Sequence, residues 1–166
     1  MEAVCVLTNT INKNIKGYIE FKEVFDYVQI TVNITGLSEG YHGIHIHQYG
    51  DLRDNCKSLC NHFNPYNKLH GDIGDSKNNR HVGDLGNIYA DVEGIVNIIF
   101  IDRLIKLSGK CNIVGRSVVI HEKEDDLGIG GLNYLGEIYD EKIHNESIKT
   151  GNAGNRIACG VIGWCK

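Results

Sequence analysis

The 166-residue chain holds one proline, Pro65, and few aromatic residues. It contains no apolar run of ~18 residues, the length a membrane-spanning helix needs. Positive charge is not in excess: 17 Lys and Arg face 21 Asp and Glu, giving a net charge of −4 with no basic stripe or tail. These absences argue against nucleic acid and membrane as partners, and an anionic substrate would need a local positive field that overrides the global sign. Residues 1–14, MEAVCVLTNTINKN, lack the basic-then-apolar pattern of a secretory signal, which predicts an intracellular, cytoplasmic protein. In that setting, and in a chain long enough to bury a real core, the six cysteines are expected to be mostly reduced. One structural bridge is compatible with this reading, but spacing alone does not choose it.

Glycine, by contrast, is plentiful at 20 residues, and the hydrophobic pattern repeats every second residue. Val28, Ile30, Val32 and Ile34 alternate with Tyr27, Gln29, Thr31 and Asn33. Gly17, Ile19 and Phe21 alternate with Tyr18 and Glu20, and Ile88, Ala90 and Val92 with Asn87, Tyr89 and Asp91. Each pattern turns one side of a strand to a core and the other to water. Further strand candidates are 3–8, 42–47, 95–101, 116–121 and 157–162, separated by turn signals such as Glu93-Gly94 and Ser108-Gly109-Lys110. About eight short strands so punctuated predict an all-β domain over 1–166, a flattened barrel or sandwich. Two stretches, about 48–82 and 122–156, do not read as strands, and loops of that length in a compact domain carry function.

The histidines gather in or beside those loops. His45 and His47 are two apart on a strand, so both imidazoles project to one face. Taken alone, such a pair more often marks two ordinary surface histidines. His62, His70, His81 and Asp84 then offer three imidazoles and a carboxylate, the makings of a closed tetrahedral zinc site. The plainer alternative is a polar loop with scattered histidines, yet five of the eight histidines fall between 45 and 81. His121 ends the strand Val118-Val119-Ile120. Seven ligand-type residues fall one short of two separate four-coordinate ions, and one shared histidine resolves the count. All-nitrogen ligation suits copper, and the mixed set suits zinc.

These residues lie in blocks that closely resemble the copper/zinc superoxide dismutase family. They are Gly43-Ile44-His45-Ile46-His47-Gln48-Tyr49-Gly50-Asp51, His62-Phe63-Asn64-Pro65, Arg80-His81-Val82-Gly83-Asp84-Leu85-Gly86-Asn87, Val119-Ile120-His121-Glu122-Lys123, Gly151-Asn152-Ala153-Gly154-Asn155-Arg156 and Ala158-Cys159-Gly160-Val161-Ile162-Gly163. The resemblance implies an eight-stranded Greek-key, immunoglobulin-like barrel with two long functional loops and one copper and one zinc ion per subunit. Copper would be held by His45, His47, His62 and His121, and zinc by His62, His70, His81 and Asp84, with His62 the bridge. Asp125 would link His45 to His70, although by composition alone it sits in a solvated acidic run. Arg156 would dock superoxide beside copper, while Lys149 and Glu146 match charges that guide it. The implied reaction alternates: cupric ion takes an electron from one superoxide to give oxygen, and cuprous ion reduces a second to hydrogen peroxide. The bridge from His62 to copper opens in the reduced state and takes up a proton. Cys56 and Cys159 match the family's intrasubunit disulfide. A homodimer is implied, packing near Tyr49-Gly50-Asp51, Val114-Gly115 and the C-terminal strand. Neither Asn155 nor Ile157 is proline, which implies that a copper chaperone is not strictly required.

The chain also departs from the family pattern. Residues 132–144 form an insertion carrying Glu137, Asp140, Glu141 and Lys142, a net −2. Leu135, Ile138, Tyr139 and Lys142 have helical spacing, so a short amphipathic helix is expected there, and its charge would weaken steering of an anion. The plainer reading is a solvated extension pointing away from copper. Cys60 stands where relatives carry glycine; it reads as a spectator or as a thiol able to pair with Cys56 or Cys159. The alternative functional reading is a catalytically inactive relative that sequesters copper or acts as a chaperone-like module. His121 and Arg156, which such relatives lose, count against it. A third reading is a zinc β domain that never takes copper.

Overall fold

The computed structural model describes residues 1–165. Period-2 alternation builds β1 (Glu2–Val6), β2 (Asn9–Thr10), β3 (Lys16–Val24), β4 (Tyr27–Thr35), β5 (Gly40–His47), β6 (Asp84–Ala90), β7 (Val96–Asp102), β8 (Ser117–His121) and β9 (Arg156–Trp164). In β4, Val28, Ile30, Val32 and Ile34 are buried, and the antiparallel partner β3 adds Ile19 and Phe21. Each such side chain removed from water stabilises the fold by ~1.5–3 kcal/mol before chain entropy is set against it. The strands order as β6-β5-β8-β9-β1-β3-β4-β7, with the short β2 set against β9. Every pairing is antiparallel, and the result is a nearly closed eight-stranded barrel.

The two long connections follow β5 and β8, neighbours in the barrel, so both loops emerge over the same strands. The first is tied down by Arg80, a fully buried side chain that pairs with Asp102 at the end of β7 and donates to the Asp84 carbonyl at 2.6 Å. The second contains α1 (Glu141–Thr150), whose start is capped by Asp140 accepting from the Ile143 N–H at 2.9 Å.

The expected helix in the insertion is displaced. Residues 132–139 form a tight turn in which Leu132 pairs with Ile138, and the helix begins only at Glu141. Asn133 Oδ1 accepts from Leu135 N–H at 2.9 Å and Glu137 N–H at 3.0 Å, offering the backbone partners that a helix would have supplied. Helical spacing alone does not overcome that local competition. Among the described residues no helix is long and apolar enough to cross a membrane.

Candidate metal centre

His45 and His47 project from β5, His121 ends the adjacent β8, and Asp84 opens β6 opposite His45. A register shift between Gly43 and His45 interrupts the β5–β6 ladder there, a device that re-aims side chains. His62, His70 and His81 come from the first long loop. The structure brings these seven residues into two buried groups: His45, His47, His62 and His121, and His62, His70, His81 and Asp84. Within each group the ligand-type atoms lie within 4.8 Å of one another, and His62 belongs to both.

Hydrogen bonds fix which nitrogen of each ring is free. His45 Nε2 lies 2.6 Å from Asp125 Oδ2, and His70 Nε2 lies 2.7 Å from Asp125 Oδ1. His47 Nδ1 faces the Cys60 carbonyl at 2.8 Å, and His121 Nδ1 the Gly154 carbonyl at 3.2 Å. Since each of those partners only accepts, the ring nitrogen facing it carries a proton, and in the neutral ring the opposite nitrogen holds a lone pair. Among the described residues, His45 Nδ1, His47 Nε2 and His121 Nε2 are buried with no hydrogen-bond partner, while the remaining opposite atom, His70 Nδ1, faces Asp84 Oδ1 at 3.0 Å. A buried unpaired polar atom is costly, and three converging on one point call for a cation there.

The donor sets fit metals in detail. Asp84 Oδ1 lies 2.8 Å from His62 Nδ1 and 3.0 Å from both His70 Nδ1 and His81 Nδ1, and the His62 and His81 Nδ1 atoms are 3.4 Å apart. A tetrahedron with bonds of ~2.0–2.1 Å has edges of about 3.3–3.4 Å, close to these separations. Because Nδ1 of His62 faces this group, its Nε2 is the atom left for the other. Burial, reinforced by neighbouring imidazoles, holds His45 and His47 well below the usual histidine range, and His121 is brought down to about 4. Their lone pairs are thus not lost to protons. At His70 burial acts the same way, but the carboxylates of Asp125 and Asp84 prevail and raise it to about 10. Burial acts to raise Asp84, yet its contacts with His62, His70 and His81 keep it well below the carboxylate range. That pocket is built to enclose positive charge.

Asp125 is held in turn. Asn87 donates to its carbonyl at 2.8 Å and accepts from its N–H at 2.7 Å. At Gly151 (φ 71°) a Cβ would sit 2.0 Å from Asp125 Oδ1 and 2.5 Å from His70 Nε2, so only glycine lets the helix end there. His42, buried, places Nδ1 2.8 Å from the His121 carbonyl and Nε2 3.0 Å from that of Ser38. Sequence reasoning passed over Asn87, His42 and the Cys60 carbonyl. Asn87 lay at the end of a quoted block, whereas nothing in the sequence marks a carbonyl.

A cavity of about 280 Å³ opens over the all-histidine group, lined by His47, His62, His121, Glu146, Lys149 and Arg156 among others. Arg156 donates to the Cys56 carbonyl at 2.7 Å and the Cys60 carbonyl at 2.6 Å, which fixes its fork at the cavity wall. Cys56 and Cys159 form a disulfide, while Cys5, Cys60, Cys111 and Cys165 are free thiols.

Residues 15–162 match the family model described as copper/zinc superoxide dismutase. The chain is 49% identical to the "Superoxide dismutase [Cu-Zn]" of Paramecium bursaria Chlorella virus 1, covering 100% of this chain and 80% of that protein. It is 47% identical to the "Extracellular superoxide dismutase [Cu-Zn]" of Brugia pahangi, covering 96% of this chain and 74% of that protein. A crystal structure described as the clock protein EA4 superposes with a TM-score of 0.84 at 44% identity, over 98% of this chain and 93% of that one. The expectation of a cytoplasmic protein does not stand against these relatives. Two of comparable similarity carry the name extracellular, and the disulfide is formed. The absence of a leader pattern in residues 1–14 was too little to assign a compartment. In sequence, strand order and buried histidine groups alike, the chain belongs to the copper/zinc superoxide dismutase family.

Proposed function

We propose that the chain, as one domain over 1–166, disproportionates superoxide to oxygen and hydrogen peroxide. The observation that carries this reading is the membership of His62 in both ligand groups, with Nδ1 turned to one and Nε2 left for the other. His45, His47, His62 and His121 would hold copper, and His62, His70, His81 and Asp84 zinc. When bound, copper supplies a one-electron couple that superoxide can both reduce and oxidise.

The chain's own residues do the rest. Arg156 offers a permanently charged fork to a small anion at the cavity wall. Lys149 adds positive potential from α1, and Glu146, held by Thr150 Oγ1 at 2.8 Å, shapes the field beside it. Nε2 of His62, on the cavity side, would be the atom from which a proton reaches a bound anion whenever that nitrogen is not holding the metal. Asp125 keeps His45 and His70 in the tautomers that leave Nδ1 free on both. The half-exposed Tyr49 and Trp164 support a homodimer through the β9 end of the barrel. Asn155 and Ile157 in place of proline support copper loading without an obligatory chaperone.

The test is metal content together with dismutation rate, before and after Arg156→Ala. One copper and one zinc per chain, with a rate that falls in the variant while metal content holds, is expected. Full copper with no activity in the parent would favour the copper-sequestering reading instead.

A further inference from the structure

Cys60 stands out among the features that this reading leaves unused. It is an exposed thiol with φ 66°, four residues beyond the disulfide cysteine Cys56 in the same loop. Its carbonyl accepts from both His47 Nδ1 and Arg156 Nη2, and the Cys56 carbonyl accepts from Arg156 Nη1. One planar guanidinium therefore bridges the two cysteines, which requires their backbones to lie side by side. The disulfide is also asymmetric in access. Cys159 is fully buried on β9, whereas Cys56 lines an open cavity of about 660 Å³ with Asn9, Lys57, Asn155 and Arg156. Thiol–disulfide exchange needs a thiolate to approach the sulfur under attack from the side away from the leaving sulfur. Of the two bridged cysteines, Cys56 is the one that reaches the surface, 7% exposed against 0% for Cys159.

We propose that Cys60 is an internal exchange partner for the Cys56–Cys159 bridge, and that the swap switches off the anion-docking wall. The Cys60 thiolate attacks Cys56 Sγ. The Cys56–Cys60 bond forms as the Cys56–Cys159 bond breaks, and Cys159 leaves as a thiolate that takes up the proton Cys60 gave up. No electrons enter or leave, so no outside oxidant or reductant is needed. Attack by Cys159 on Cys56 runs the step backwards. In the swapped form the loop is no longer bonded to β9, and the carbonyls that hold Arg156 and orient His47 move with the new bridge. Activity would thus follow the position of the bridge rather than the number of disulfides.

The functional consequence rests on the dismutase reading, but the exchange itself does not. Metal-loaded protein is incubated under argon with no added thiol, sampled over time, quenched with an alkylating reagent and peptide-mapped. A peptide linking Cys56 to Cys60 should appear in step with alkylated Cys159. Both should be absent from Cys60→Ser and from Cys60→Ala, the second guarding against a folding fault in the first. The fraction of starting activity lost by the parent should equal the fraction swapped, with each variant holding its own starting rate. Finding only the Cys56–Cys159 bridge with Cys60 alkylated throughout would overturn the proposal, as would a Cys60–Cys159 bridge. Exchange without loss of activity would overturn its coupling to Arg156. A parent with no dismutase activity still yields the map, which separates failure of the exchange from failure of the functional reading.

Discussion

Replacing Asp125 by Asn tests whether one carboxylate sets both ligand groups. Its two oxygens are not equivalent. Oδ1 accepts from His70 Nε2 at 2.7 Å and also from the Leu127 backbone N–H at 2.7 Å, whereas Oδ2 accepts from His45 Nε2 at 2.6 Å. An asparagine keeps one acceptor oxygen, and the Oδ1 position meets two donors, so the oxygen settles there. Its NH₂ group then faces His45 Nε2–H, donor against donor. To escape, His45 must move its proton to Nδ1, the atom needed for the metal, or turn the ring away. Removing a partner of this kind costs 10- to 100-fold in metal affinity, about 1.4–2.7 kcal/mol. The loss should fall on the His45 group, with the His70 group nearly unchanged. Asp125→Ala strips the acceptor from both rings and should weaken both groups. Titration of each variant with copper and with zinc against a competing chelator reads the two affinities separately. Weaker zinc binding with copper intact in Asp125→Asn would refute the reasoning, because the orientation argument allows only the opposite order.

Three further outcomes are expected. Arg156→Ala should lower kcat/KM for superoxide roughly 10- to 100-fold, the worth of hydrogen bonds to a charged group, with Arg156→Lys intermediate because it keeps the charge but not the fork; pulse radiolysis on metal-loaded protein measures it. Replacing both Cys56 and Cys159 by serine removes a bridge between residues 103 apart and should cost ~2–5 kcal/mol in urea unfolding, with a loss under ~1 kcal/mol contradicting the expected constraint on the unfolded chain. Glu137→Gln with Glu141→Gln should raise the superoxide rate at low ionic strength, the gain vanishing at high salt, if the insertion's charge opposes the anion; equal rates at low salt would place those acids outside the field that matters.

How much of this was legible in the sequence depended on what each feature is made of. The strands were, because burial on one face writes period 2 directly into Val28, Ile30, Val32 and Ile34. Gathering of the histidines was visible in part, since His45 and His47 must share a face. Their convergence with His121 could not be read from spacing, because it depends on β5 and β8 being neighbours, a pairing between residues far apart in the chain, and only the family resemblance implied it. By composition alone Asp125 looked like any acid in a run of acids; the family resemblance marked it out, and the structure buries it between two rings. The insertion misled for a different reason. Its apolar spacing was helical, but Asn133 supplied turn hydrogen bonds at the same positions, and the closer partner prevailed. The Cys60 carbonyl holding His47 has no side-chain signature at all.

The unpaired nitrogens of His45, His47 and His121 join these observations into one equilibrium. Leaving a buried acceptor unsatisfied costs ~1–3 kcal/mol, so without cations these nitrogens oppose the fold at this centre. No local rearrangement relieves it cheaply. The opposite nitrogen of each ring is already committed to Asp125, to the Cys60 carbonyl or to the Gly154 carbonyl. Cations would remove the penalty at its source, and because His62 belongs to both groups, filling one would fix the ring that the other requires. Metal binding at these groups would therefore be coupled to the ordering of the two long loops.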